Sequence, residues 1–77
     1  MAEEVVAVPL NGEIISVNVK LGDEVKEGDE LCVVEAMKME TPIVTPVTGK
    51  VIKLEVTAGQ TVKPGEIIAV IEYIGNQ

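Results

Sequence analysis

Residues 9–35, PLNGEIISVNVKLGDEVKEGDELCVVE, and residues 46–72, PVTGKVIKLEVTAGQTVKPGEIIAVIE, align without a gap at an offset of 37 positions. The identical pairs are Pro9/Pro46, Gly12/Gly49, Ile15/Ile52, Val19/Val56, Gly22/Gly59, Val25/Val62, Lys26/Lys63, Gly28/Gly65, Val33/Val70 and Glu35/Glu72. Conservative pairs such as Ile14/Val51, Val17/Leu54 and Leu31/Ile68 fill the intervals. Glycines occupy turn positions and β-branched residues occupy strand positions, so the match is structural as well as compositional. A period of this length that occurs twice describes an internally symmetric domain rather than a solenoid.

The punctuation inside each half places the strands. Leu21-Gly22-Asp23 and Ala58-Gly59-Gln60 read as turns, as do Glu27-Gly28-Asp29 and Pro64-Gly65-Glu66. Strands are predicted near 5–8, 12–20, 24–26, 30–36, 39–45, 49–57, 61–63 and 66–73, and no segment shows sustained helical periodicity. Apolar positions step from Ile14 to Val17 and then Val19, and in the partner from Val51 to Leu54 and then Val56. A step of three followed by a step of two breaks strict alternation and predicts a bulge near Ile15–Ser16 and Ile52–Lys53. The expected architecture is all-β, a flattened barrel or sandwich in one domain over 5–74, with half-repeats 9–35 and 46–72 and a flexible N-terminus at 1–4.

Composition excludes several function classes. Apolar residues make up 47% of the 77, with no Phe or Trp, so a small core is built from Val, Ile and Leu. A formal charge of −7 opposes binding to nucleic acid or an anionic membrane. Tyr73 is the one aromatic residue, which leaves no stacking platform for bases. All six basic residues are lysines, and there is no Arg or His. The chain therefore has neither a bidentate phosphate clamp nor an imidazole for metal ligation or base catalysis. Cys32 lies in the apolar run Leu31-Cys32-Val33-Val34 and reads as a small buried residue. With a single cysteine no internal disulfide forms, nothing resembles a signal peptide, and no apolar stretch is long enough to span a membrane. The expected location is cytoplasmic.

Between the two halves lies EAMKME, Glu35 to Glu40. Residues 36–39 form the tight hairpin that joins the strand ending at 36 to the one starting at 39, and such tips present side chains to partners. The repeat does not explain Lys38, because the position one repeat later is Gly75. Most exposed lysines only aid solubility. Here Met37 and Met39 cannot both turn inward from a tight turn, and an outward thioether offers soft apolar contact to an appendage or a modifying enzyme. Lysine amines are mostly protonated at neutral pH, so acylation here calls for another enzyme to deprotonate the amine.

The chain resembles the biotinyl (biotin carboxyl carrier) domains of biotin-dependent carboxylases and decarboxylases, over about Val6 to Ile74. The likeness rests on Ala36-Met37-Lys38-Met39, on Pro9 and Gly12, on Val25-Lys26-Glu27-Gly28-Asp29 and on Thr45-Pro46-Val47-Thr48-Gly49. It implies two four-stranded antiparallel sheets related by a pseudo-twofold axis, with the acceptor hairpin at one end and the termini at the other. It further implies that Lys38 is biotinylated by biotin protein ligase through a biotinyl-adenylate. Carboxybiotin then shuttles between a biotin carboxylase site and a carboxyltransferase or decarboxylase site, the chain itself being a carrier rather than an enzyme. Ala36, Met37 and Met39 complete the attachment motif, while Glu35 and Glu40 either assist ligase discrimination or are solvated flanking charges. The isolated domain is expected to be monomeric. The ungapped repeat leaves no room for the extra "thumb" of some acetyl-CoA carboxylase carriers, which points to a transcarboxylase, decarboxylase, pyruvate or acyl-CoA carboxylase type.

Three other readings compete. Lipoyl carriers share this fold, but their motif is Asp-Lys-Ala, whereas methionine stands on both sides of Lys38. An unmodified adaptor module explains the strands and leaves the Met-Lys-Met motif without a purpose. A Schiff-base enzyme needs a pocket that activates the amine, and a hairpin tip offers none.

Overall fold

The structure is a computed structural model and describes residues 1–74. Gly75, the position one repeat beyond Lys38, lies outside them. Eight strands follow in order: β1 (Ala2–Ala7), β2 (Gly12–Val17), β3 (Glu24–Val25), β4 (Glu30–Ala36), β5 (Met39–Val44), β6 (Gly49–Leu54), β7 (Thr61–Val62) and β8 (Ile67–Tyr73). They form two four-stranded antiparallel sheets, ordered β1-β8-β6-β3 and β5-β4-β2-β7. Each sheet takes its two inner strands from one half of the chain and its two edge strands from the other. Neither half can complete a sheet alone.

Backbone bonds between the halves follow the same exchange. The Gly22 N–H donates to the Val51 carbonyl at 2.8 Å, and the Gly59 N–H donates to the Ile14 carbonyl at 2.6 Å. Gly28 donates to Thr45 as Gly65 donates to Val8. These four glycines have φ between 92° and 94°, a region where an L side chain is strained. The register breaks between Ile14 and Ser16 in β2 and between Val51 and Lys53 in β6, where the uneven apolar spacing predicts bulges. The extra residues turn outward, and Ile15 is exposed while Ile14 and Val51 are fully buried.

The predicted long strands ending at 20 and 57 stop at Val17 and Leu54. Beyond the bulges the chain crosses from one sheet towards the other. One more bond to the neighbouring strand of the same sheet, from Asn18 N–H to the Leu31 carbonyl and its mate from Glu55 to Ile68, precedes the crossing. The N-terminus differs more. Ala2–Glu4, expected to be flexible, pair with Tyr73, Glu72 and Ile71 as the start of β1. The repeat therefore reaches back to Ala2, because β1 occupies on β8 the place that β5 occupies on β4.

The core obeys the same symmetry. Val6/Ile43, Ile14/Val51, Val19/Val56, Val25/Val62, Leu31/Ile68 and Val34/Ile71 are buried on both sides. Each fully buried aliphatic side chain contributes about 1.5–3 kcal/mol. Buried Cys32 has Ala69 as its mate, so that site selects a small apolar residue. Thr45, the mate of Val8, satisfies its buried hydroxyl by donating to the Val47 carbonyl at 2.6 Å.

The β4–β5 connection has two residues. Ala36 pairs with Met39, and Met37 (φ 52°) and Lys38 (φ 65°) make the turn. Positive φ at both central residues is the type I′ arrangement, which matches strand twist and usually takes Asn-Gly. Met and Lys hold it at a cost of about 1–2 kcal/mol per residue.

Three outcomes follow from this packing. Pro42 in edge strand β5 has no N–H, so its nitrogen must point away from β4, and its mate Val5 then points its N–H away from β8. Val5→Pro is expected to shift stability by less than about 1 kcal/mol, whereas Glu4→Pro removes a ladder bond and costs about 1–3 kcal/mol by urea denaturation. Met37→Gly relieves one strained turn residue and is expected to raise the urea midpoint, by up to about 1 kcal/mol in stability. Burial, aided by the Glu30 carboxylate, pushes the Cys32 thiol from 9.0 up to about 11. The stability this contributes is whole below the unfolded value and declines as pH rises towards the folded one. Alkylation at neutral pH is expected to leave the native thiol unmodified and to label it fully in urea.

Candidate functional site

The two strained turn residues and the pairs beneath them fix the backbone under Lys38. Its side chain is exposed, and its neighbours are more open still than the sequence implies: Met37 is 94% exposed and Met39 70%. Both thioethers point out, where only one was required to. Ala36 is partly buried and closes the turn through its pairing with Met39. The motif residues Ala36, Met37, Lys38 and Met39 thus form a single apolar crest carrying one primary amine. The start of β1 and the end of β8 are paired, Ala2 with Tyr73, at the end of the 39 Å molecule away from this turn.

One step below the crest, Glu35 stands directly opposite Glu40 on β5 and directly opposite Glu13 on β2. All three side chains are exposed on the outer face of their sheet. The sequence flags Glu35 and Glu40 because they flank the motif, and misses Glu13, which only strand register brings alongside. Beside the crest runs a shallow groove of about 390 Å³, lined by residues 11–13, 35–37 and 61–63. Its floor exists because β2 approaches β4 closely: a Cβ on Gly12 would lie 2.5 Å from the Glu35 carbonyl oxygen and 2.6 Å from Val34 Cγ1. A second groove, of about 600 Å³, is lined by Met1 and residues 24–26, 48–50 and 72–74. Apart from Met1, whose mate Lys38 stays clear of the first groove, it is the repeat-mate of the first, so the fold builds a similar concavity at both ends.

Chemically the crest offers a nucleophilic amine and little else. Lys38 is exposed and lines neither groove, so neither gives it the enclosure that an imine-forming lysine requires. Among the described residues no group of three or more His, Cys, Asp or Glu could hold a metal. No helix of the structure is long and apolar enough to cross a membrane. The exposed amine at the tip of a two-residue turn is chemically open to acylation by another protein.

Comparison with known proteins agrees with this geometry. The family model described as "Biotin-requiring enzyme", a biotin/lipoyl domain, matches residues 4–71. The chain is 54% identical over 39 residues to the glutaconyl-CoA decarboxylase subunit gamma of Acidaminococcus fermentans, covering 51% of this chain and 27% of that one. It is 56% identical over 32 residues to the human mitochondrial propionyl-CoA carboxylase alpha chain, covering 42% of this chain and 4% of that one. Against the biotin/lipoyl attachment protein of Bacillus subtilis it is 44% identical over 39 residues, which is 51% of this chain and 53% of that one. The match thus spans from a few per cent to about half of these relatives. Among solved structures, the Kluyveromyces lactis urea carboxylase superimposes with a TM-score of 0.85 at 30% identity, over 94% of this chain and 6% of that one. A single-chain, multi-domain long-chain acyl-CoA carboxylase superimposes with a TM-score of 0.83 at 31% identity, over 88% and 7%. With its two interlocked sheets and a family match over nearly its whole length, this chain belongs to the biotin-requiring enzyme family and has the fold of a carboxylase biotinyl domain.

Proposed function

We infer that the chain is a biotin carboxyl carrier and that Lys38 is its attachment residue. The observation that carries this reading is the lone lysine on a strained two-residue turn between two outward methionines, in a chain of the biotin-requiring family. In the loading step a biotin protein ligase joins Lys38 Nζ to the carboxyl carbon of biotin-adenylate. An amide forms, AMP leaves, and the Lys38 ammonium gives up two of its three protons to the ligase side, the third staying on the amide nitrogen. Bound biotin supplies a ureido nitrogen that takes up and releases a carboxyl group.

The domain's own residues present and tether. The type I′ turn holds the Lys38 backbone in one orientation, and Met37 and Met39 give apolar contact to whichever site the arm enters. Holding the arm at one end of an elongated body raises its local concentration at two successive sites without those sites having to meet. The similarity to decarboxylase and carboxylase chains supports a biotin carboxylase and a carboxyltransferase or decarboxylase, as subunits or domains, as the partners. Relatives named for glutaconyl-CoA and propionyl-CoA favour an acyl-CoA as the molecule that gains or loses the carboxyl group. The lipoyl reading loses support because methionine occupies both positions beside Lys38.

The test is intact mass after incubation with biotin protein ligase, biotin and ATP. The parent is expected to gain one biotinyl group and Lys38→Ala none. A folded parent that stays unmodified, but is modified by a lipoate ligase, would transfer the assignment to lipoate.

A further inference from the structure

The two ends of the molecule are copies in backbone but not in charge. At the end where β1 starts and β8 ends, the row across the sheet reads Glu24–Lys50–Glu72–Glu3, each residue directly opposite the next. At the hairpin end the matching row reads Thr61–Glu13–Glu35–Glu40. A lysine sits between two carboxylates in the first row; three carboxylates stand side by side in the second. Like charges directly opposite on neighbouring strands are destabilising. The pair Glu35–Glu40 has its like-charged mate in Glu72–Glu3, so the ends differ at position 13: the fold does not demand a carboxylate there, because Lys50 occupies the mate of position 13 on an equivalent strand. The grooves beside the rows are otherwise matched, with Lys63 lining one where Lys26 lines the other.

We propose that Glu13 is a recognition residue. Together with Glu35 and Glu40 it forms an acidic margin, beside the apolar groove and the methionine crest, that docks a protein partner whose lysine-accepting site is apolar-walled and flanked by basic side chains. The partner meant is the ligase that acylates Lys38, so the inference rests on the attachment reading above. Any enzyme that reaches the Lys38 amine must cover this crest, and the groove immediately beside it is lined by Gly12, Ala36, Met37 and Val62 with Glu13 and Glu35 among its polar residues. Charge complementarity at such a margin acts mainly on association, by steering encounter.

The experiment compares Glu13→Lys with Glu3→Lys. Both change the net charge equally, and Glu3 lies in the row at the far end. Initial rates of ligase-catalysed biotinylation are measured against domain concentration at low and high salt, with thermal unfolding of each variant. Glu13→Lys is expected to lower kcat/KM about tenfold at low salt with kcat retained, and to lose most of that deficit at high salt as screening shortens the range. It is expected to unfold at a temperature no lower than the parent, since it replaces the like-charged Glu13–Glu35 pair by a Lys–Glu pair, which separates lost recognition from lost folding. Glu3→Lys is expected to biotinylate like the parent. Equal rates for all three proteins, or equal deficits in both variants, would overturn the docking role of Glu13 while leaving Lys38 as the attachment residue. A parent that takes no biotin at all would remove both.

Discussion

Everything in this fold depends on the exchange of edge strands between the two halves of the chain. β4 and β2 lie between β5 and β7 of the second half, while β8 and β6 lie between β1 and β3 of the first. The reciprocal bonds Gly22 to Val51 and Gly59 to Ile14 lock this arrangement at the turns. A half-chain alone would leave a two-stranded sheet with one face of its apolar residues uncovered, and two strands are marginal in water. A domain this small thereby obtains one continuous core from two short patterns. It does so through pairings distant in sequence, a topology that folds more slowly than one built from local contacts.

The same exchange accounts for the hairpin. Linking β4 to β5 carries the chain from an inner strand of the first half to an edge strand that belongs to the second half. The equivalent junction at the other end, between β8 and β1, is where the described chain is open. A two-residue turn therefore joins β4 to β5, whereas the start of β1 and the end of β8 lie paired without one, although the strands are copies. Closing the turn with Met37 and Lys38 instead of Asn and Gly keeps positive φ where side chains rarely accept it. Backbone strain of this kind persists where the surroundings over-determine the conformation, here through the pairs Ala36–Met39 and Glu35–Glu40. What results is a rigid pedestal for a flexible side chain, suited to a residue that must be handed to other proteins.

Much of this was legible in the residues. The paired glycines placed the turns, and the three-then-two spacing at Ile14, Val17 and Val19 located a bulge that the register shows between Ile14 and Ser16. Residues 36–39 read as a hairpin because strand-forming runs meet there with no room for a longer loop. Ala2–Glu4 did not read as a strand because the repeat fades there. Glu4 and Val5 stand against Thr41 and Pro42, leaving Glu3/Glu40 and Val6/Ile43 as the surviving signal. An edge strand tolerates such variation, since only one of its sides is held by backbone bonds.

The sequence by itself determined the all-β class, the twofold repeat, the turn positions and the singular lysine, because these follow from local conformational preference and from residues close together along the chain. Only the tertiary structure decided which strands share a sheet, that both methionines face outward, and that Glu13, Glu35 and Glu40 stand in one row. Those facts depend on register between strands far apart in sequence. A slip of one residue would send every side chain of a strand to the opposite face, and the choice among registers is made by packing both halves around a single core.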